Sequence, residues 1–256
     1  MNISKAQIKI VRSLQQKKFR DELGLFVAEG VKCIEELRKA FDLEMLIAEE
    51  GLCSVSATVG ILSAKRSEIE QMSGLRTPQG VIGVFRKNQI TNHQLPITNS
   101  LTLALDGIQD PGNLGTIIRT CDWFGVHHIF CSPDTADCYN PKVVQATMGA
   151  LARVRVHYTP LPAWLASQTC PIYGTLLDGR DMYEVLSNSP KDGLTGEAGP
   201  IIVMGNEGNG ISEDVRALIT HAIRIPSYPP DAETSESLNV SIATAIVLAA
   251  FRRHLS

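Results

Sequence analysis

The chain has 256 residues, of which 44% are hydrophobic and 20% charged, and its formal net charge is −3. That balance can bury a core and excludes wholesale disorder, and no apolar run reaches the roughly 18 residues of a membrane-spanning helix. The N-terminus carries scattered bases without an apolar h-region or small-residue cleavage site, so it does not read as a secretory signal, and the cytoplasm is the expected compartment.

Charge is unevenly spread. Residues 1–95 hold 14 Lys+Arg against 11 Asp+Glu, whereas residues 96–256 hold 10 against 16. Lys5, Lys9, Arg12, Lys17, Lys18 and Arg20 all fall in the first twenty residues, with no acid among them. A basic end on an acidic chain can hold a polyanion locally; a solvated helix face is the other reading. Cys33, Cys53, Cys121, Cys131, Cys138 and Cys170 form no CxxC and show no metal-ligand spacing. They are expected to be reduced, mostly buried small hydrophobes, and no metal is expected.

In chain order, Ala6–Gln16 and Val31–Ala40 show helical periodicity, and Leu25–Val27, Met45–Ala48 and Gly80–Phe85 read as strands. This predicts a small α/β domain over 1–90. The polar stretch 88–100, containing Pro96, reads as a linker, which we place at 91–100. A second domain over 101–256 follows. Its predicted strands are Leu101–Asp106, Val126–Cys131, Val154–His157, Ile172–Leu177, Ile201–Met204 and Ala222–Ile225. They alternate with predicted helices over Leu114–Phe124, Pro141–Leu151, Leu161–Ser167, Ser212–Ile219 and Leu238–His254. Apolar strands alternating with helices predict an α/β fold with a mostly parallel sheet covered on both faces. The stretch 187–200 reads as a surface loop.

The turn after the first strand of this domain, Asp106-Gly-Ile-Gln-Asp-Pro-Gly-Asn-Leu-Gly115, is neither G-x-G-x-x-G nor a P-loop, which disfavours dinucleotide and nucleoside triphosphate chemistry. Gly205-Asn-Glu-Gly-Asn-Gly210 follows an apolar strand, where glycines let the backbone approach a ligand closely or supply a tight turn. Ser235 or Ser237 is the expected cap of the last helix. Asn239 then falls inside its first turn against local propensity, which points to a site.

Together, Asp106–Arg119 with Thr120, Val203–Ile211, and Ile225-Pro226 with Ser237-Leu-Asn-Val-Ser241 resemble the SpoU (TrmH-like) RNA ribose 2′-O-methyltransferases of the SPOUT superfamily. The resemblance covers about residues 101–254. Phe26-Val-Ala-Glu-Gly and Gln79-Gly-Val are similar to the small RNA substrate-binding domain that many members carry.

The resemblance implies a knotted (trefoil) α/β fold. It implies a pocket for S-adenosylmethionine, released as S-adenosylhomocysteine, and a homodimer acting on structured RNA, rRNA before tRNA, without a metal. The expected catalytic residues are Arg119, Asn113, Glu207, Ser237 and Asn239. A guanidinium with a pKa above about 12 is a poor base, so the expected role of Arg119 is to clamp the target phosphate and the developing alkoxide. Asn113 is expected to contact the ribose or position Arg119, and Glu207 to orient Arg119 or Asn113. Ser237 and Asn239 are expected to contact the acceptor ribose or Arg119. Thr175, Leu176, Gly205, Ile225 and Leu238 are the expected cofactor contacts, mostly through backbone. Asp106 and Asp178 read as turn residues, and His127 and His128 as structural. The connector between Pro226 and Ser237 is longer than in many members. The alternative is a non-catalytic RNA-binding or assembly factor retaining the fold; a small-molecule methyltransferase is disfavoured by the basic N-terminal domain.

Overall fold

A computed structural model describes residues 1–52, 60–87, 101–188, 199–229, 235 and 237–255. The predicted linker, most of the 187–200 loop and much of the 227–236 connector lie outside the described residues, as does Cys53.

Contacts divide the chain into two units. The first comprises Met1–Ile90 together with Asp137–Arg153. Its elements are α1 (Lys5–Ser13), α2 (Lys17–Leu23), β1 (Leu25–Glu29), α3 (Val31–Leu37), β2 (Leu43–Glu49), β3 (Ile61–Ala64), α4 (Arg66–Met72), β4 (Val81–Arg86) and α6 (Pro141–Thr147). The strands form a sheet in the order β1-β4-β2-β3, antiparallel except for β2 and β3. Alternation sends Val27, Ile47, Leu62, Ile82 and Val84 into a core with Val11 of α1, Leu14 at its C-cap, and Ile69 and Met72 of α4. The opposite parity places Phe26 against Phe85, Phe41 and Tyr139, with ring centroids 5.5, 5.1 and 4.8 Å away.

Residues 137–153 lie within the predicted second domain by sequence but join the first unit by contact. The reason is electrostatic as well as apolar. Arg20 is 1% exposed, so its charge must be met inside the protein. Its guanidinium donates to Asp137 Oδ2 at 3.0 and 2.7 Å and to the Leu14 and Gln15 carbonyls at 2.9 and 3.0 Å. Arg153 pairs with Glu36 of α3, and α6 packs on β1.

The second unit contains β5 (Thr102–Asp106), α5 (Pro111–Trp123), β6 (His128–Cys131), β7 (Arg155–Tyr158), α7 (Leu161–Ala166), β8 (Ile172–Asp181) and α8 (Met182–Asn188). It continues with β9 (Ile201–Gly205), α9 (Glu213–Arg216), β10 (His221–Arg224) and α10 (Val240–Leu255). The strands form one parallel sheet in the order β10-β8-β9-β5-β6-β7. β5 is buried along its whole length, as its uninterrupted apolar run requires when helices cover both faces. Ala104, Ile201 and Val203 pack with Leu161 and Leu165 of α7, and α10 packs on α5 and β9.

One strand assignment changes substantially. β8 runs to Asp181 instead of ending at Leu177. Its register on β10 jumps from Gly174↔Ala222 to Arg180↔Ile223, so residues 175–179 arch out between two paired stretches. Gly179 sits at the closing foot, where a Cβ would lie 2.5 Å from the Ile223 carbonyl carbon; a side chain there would push β10 away.

The five described cysteines are buried and free of disulfides. Burial pushes the Cys33 thiol up to about 11 and raises that of Cys121 further, which keeps both protonated at neutral pH.

Candidate functional site

β5 leads towards β6 and β7 on one side, and the chain returns through β9, β8 and β10 on the other. Loops leaving the carboxyl ends of β5 and β9 therefore diverge at the point where strand order reverses, the place where open parallel sheets bind ligands. Both predicted motif loops are there.

The first loop ends in α5. Asp110 caps that helix, its Oδ1 accepting from the Asn113 N–H at 2.8 Å, and Pro111 occupies the first helical position. Asn113 thus stands in the first turn and is not itself the cap; the helix begins three residues earlier than the sequence predicts. The second loop closes on itself. Asn206 and Gly210 exchange main-chain hydrogen bonds at 2.9 Å. Asn206 Oδ1 accepts from the Gly208 and Asn209 N–H groups at 2.8 and 3.1 Å, an Asx turn. Its Nδ2 donates to the Gly107 carbonyl at 2.7 Å, tying the second loop to the first. A second tie runs from the Ser212 N–H to Asp106 Oδ2 at 2.7 Å. Asp106 is 8% exposed and acts as an internal brace, not a turn residue.

Gly205 needs its missing side chain for a reason internal to the loop. A Cβ there would lie 2.4 Å from the Gly210 carbonyl carbon and 2.5 Å from the Ile211 nitrogen. The close approach allowed by this glycine is chain to chain.

Three predicted residues are joined in one relay. Asn113 Nδ2 donates to Glu207 Oε1, and Asn239 Nδ2 donates to Asn113 Oδ1 at 2.9 Å. Asn239 Oδ1 accepts from the Ser241 and Ile242 N–H groups at 3.0 and 3.3 Å and from Ser241 Oγ at 2.6 Å. Asn239 is therefore the N-cap of α10, which starts at Val240. The expectation that a serine caps this helix and that Asn239 sits inside it is corrected: Asn is favoured at the position it occupies. Both amide orientations are dictated from the ends. Glu207 can only accept, and the α10 N-terminus can only donate, so each asparagine between them has one way to face.

Arg119 lies six residues beyond Asn113 on α5, about 9 Å further along the axis. It is exposed and has no hydrogen-bond or ion-pair partner among the described residues. Glu207 engages Asn113 and not Arg119. Ser237 is exposed, outside the relay. Asp178 pairs with Arg216. His128 stacks on His157 in the β6–β7 pair.

Of the expected cofactor contacts, Thr175 stands just past the first paired stretch of β8, and Gly205 and Ile225 at or just past the carboxyl ends of the neighbouring β9 and β10. Thr175 Oγ1 donates to the Val203 carbonyl at 3.1 Å. Leu176 lies in the 175–179 arch, and Leu238, 48% exposed, precedes the α10 cap. The arch has no register partner on either neighbouring strand, and Leu177 within it is 74% exposed. A main chain that leaves the ladder at this edge fits S-adenosylmethionine held mainly through main-chain groups. No cluster of three or more metal-ligating side chains occurs among the described residues.

Sequence reasoning missed Asn206, Asp106 and Asp110. The signal for Asn206 was present: an Asn two residues before a Gly after a strand is the pattern of an Asx turn.

Residues 100–249 match the SpoU rRNA Methylase family and residues 5–83 the MRM3-like substrate binding domain. The 23S rRNA (guanosine(2553)-2′-O)-methyltransferase RlmP of Bacillus subtilis is 28% identical over 94% of both chains. A protein from Porphyromonas gingivalis assigned to the TrmH family of RNA methyltransferases has a similar structure, with a TM-score of 0.83 at 38% identity over 99% of both chains. The AdoMet-bound rRNA methyltransferase of Sinorhizobium meliloti superposes with a TM-score of 0.82 at 28% identity, over 100% of this chain and 97% of that one. With its two motif loops tied at the switch point of a parallel sheet, and with the family match spanning more than half its length, the chain belongs to the SpoU rRNA methylase family.

Proposed function

We propose that the protein transfers a methyl group from S-adenosylmethionine to a ribose 2′-hydroxyl of structured rRNA. The observation that carries this reading is the Glu207–Asn113–Asn239 relay at the start of α5, with Arg119 further along the same helix, exposed and without a partner among the described residues.

S-adenosylmethionine supplies a sulfonium-activated methyl group when bound. Thr175, Leu176, Gly205, Ile225 and Leu238 would hold it, mostly through backbone. The residues of this chain have three tasks. They must place the ribose oxygen in line with that methyl, stabilise charge as the hydroxyl loses its proton, and keep competing water out of line. Arg119 is free to make charge-assisted hydrogen bonds to the target phosphate and to the developing alkoxide. A phosphate oxygen of the substrate takes the proton, since guanidinium cannot. Asn113, its amide fixed from both sides, presents one edge to the ribose. Glu207 and Asn239 hold Asn113, and Ser237 completes the polar rim.

We also read the second unit as trefoil-knotted and the protein as a homodimer. Both are what the resemblance to the SpoU methylase family implies.

Isothermal titration with S-adenosylmethionine tests the reading. Saturable binding is expected, and no binding at millimolar cofactor contradicts it.

A further inference from the structure

Three cations of the first unit are grouped on one helix face without partners among the described residues. Lys5, Lys9 and Arg12 recur at i, i+4 and i+7, so they share one face of α1. All three are exposed, and none pairs with a carboxylate among the described residues. Other cations of this unit are paired, Arg20 with Asp137, Arg38 with Glu35, Lys39 with Glu36, Arg66 with Glu49, Arg86 with Glu44 and Lys87 with Asp21. Lys18, Lys32, Lys65, Arg76 and Lys142 also lack an ion pair among the described residues, but none of them lines the cleft between α1 and α4.

The three cations line a cleft of about 350 Å³ between α1 and α4, together with Ile8, Glu68 and Gln71. The single acid there is already engaged, since Glu68 Oε2 accepts from the Lys65 N–H at 2.8 Å at the start of α4. Like charges four residues apart destabilise a helix. Lys5 and Lys9 therefore work against α1 unless an anion lies between them.

We propose that this α1–α4 cleft holds the phosphate backbone of the RNA substrate. The inference rests on the RNA methyltransferase reading and adds to it the surface that grips the RNA. From Lys5 to Arg12 the helix rises about 10 Å, which sets the three cations out in a row that can follow the successive phosphates of one strand. The lining has no aromatic ring on which a base could stack. The cleft positions the RNA through its backbone and does not read its sequence.

The test compares the full-length protein with a Lys5→Glu/Lys9→Glu/Arg12→Glu variant and with the corresponding triple alanine variant. Binding to a fluorescein-labelled RNA hairpin and to a single-stranded RNA of equal length is followed by anisotropy across a salt series. Both variants should fold as the wild type does and bind S-adenosylmethionine with unchanged affinity, because the substituted side chains are exposed. The alanine variant should lose about 2 from the slope of log K against log[salt], some 0.7 per phosphate contact removed. The glutamate variant should bind at least about tenfold more weakly at low salt. A Lys5→Arg/Lys9→Arg variant should retain binding. An unchanged slope in variants whose parent binds RNA and cofactor overturns the cleft assignment alone. Failure of the wild type to bind cofactor overturns the underlying reading as well. Competition by polyglutamate as effective as by RNA of equal charge would assign the cleft to an acidic protein instead and overturn the proposal.

Discussion

Asn239 Nδ2 donates to Asn113 Oδ1 across 2.9 Å, while the same Asn239 accepts from the first free N–H groups of α10. One side chain thus has two jobs that use different atoms: the oxygen caps a helix, and the amide nitrogen aims a site residue. Substitution can separate them. Asn239→Asp keeps the capping acceptor and loses the donor. It should leave thermal stability near that of the wild type, yet reduce methyl transfer roughly 10–100-fold through misplacement of Asn113. Asn239→Ala should lose both, with about 1 kcal/mol of stability gone. Thermal unfolding and single-turnover methylation, measured on both variants, check this.

Asn206 ties the two motif loops through its side chain, donating to Gly107 and accepting from Gly208 and Asn209. Asn206→Asp keeps the Asx turn but turns an oxygen towards the Gly107 carbonyl. It should lower kcat more than it raises KM for the cofactor, because the loop stays folded while Glu207 is displaced relative to Asn113. Steady-state kinetics checks the split; equal losses in both would contradict it.

The boundaries legible in the sequence are those set by apolar runs. β5, β9 and the helix after β5 were predicted because LTLALD and IIVM leave little else to do than sit inside a parallel sheet. α2, β3 and α4 were not predicted: each is short, and α2 and α4 are mainly polar. The arch at 175–179 has no local signature, because a register jump against β10 is decided by a partner strand more than forty residues away. The relay was half legible. Motif resemblance points to its members, but the serines just before Asn239 are equally good N-caps by residue type, so the sequence does not show that Asn239 itself caps α10.

The association of residues 137–153 with the first unit was invisible for a similar reason. Its anchor, Arg20 with Asp137, joins residues 117 positions apart and leaves no periodicity. Arg20→Met should strand a carboxylate that is 10% exposed and cost about 3–5 kcal/mol. Arg20→Met combined with Asp137→Leu should recover most of that loss, since removing both charges removes the need for either. Urea unfolding of the full-length variants measures it; no recovery in the double variant would contradict this account of the pair.

His157 carries a pH signature. Desolvation, then His128 with Nδ1 3.2 Å from His157 Nε2, then Arg155 lower its pKa to about 4; Phe130 stacks on its ring. The folded state therefore holds this imidazole neutral where the unfolded chain takes up a proton, near pH 6.5. Stability from this group is full above about pH 6.5 and is lost as pH falls towards about 4. His157→Gln should flatten that part of the stability profile, as read from urea midpoints at neutral and mildly acid pH. An unchanged profile would show that His157 contributes none of it.

The proposed activity is methyl transfer from S-adenosylmethionine to a ribose 2′-oxygen, with Arg119 and the Glu207–Asn113–Asn239 relay serving the acceptor. The most direct measurement incubates rRNA with the protein and methyl-labelled S-adenosylmethionine, digests the RNA to nucleosides and locates the label. The wild type should place it on a ribose 2′-oxygen. Arg119→Ala should place none while binding the cofactor with unchanged affinity. Label on a base, or undiminished transfer by Arg119→Ala, would contradict the account.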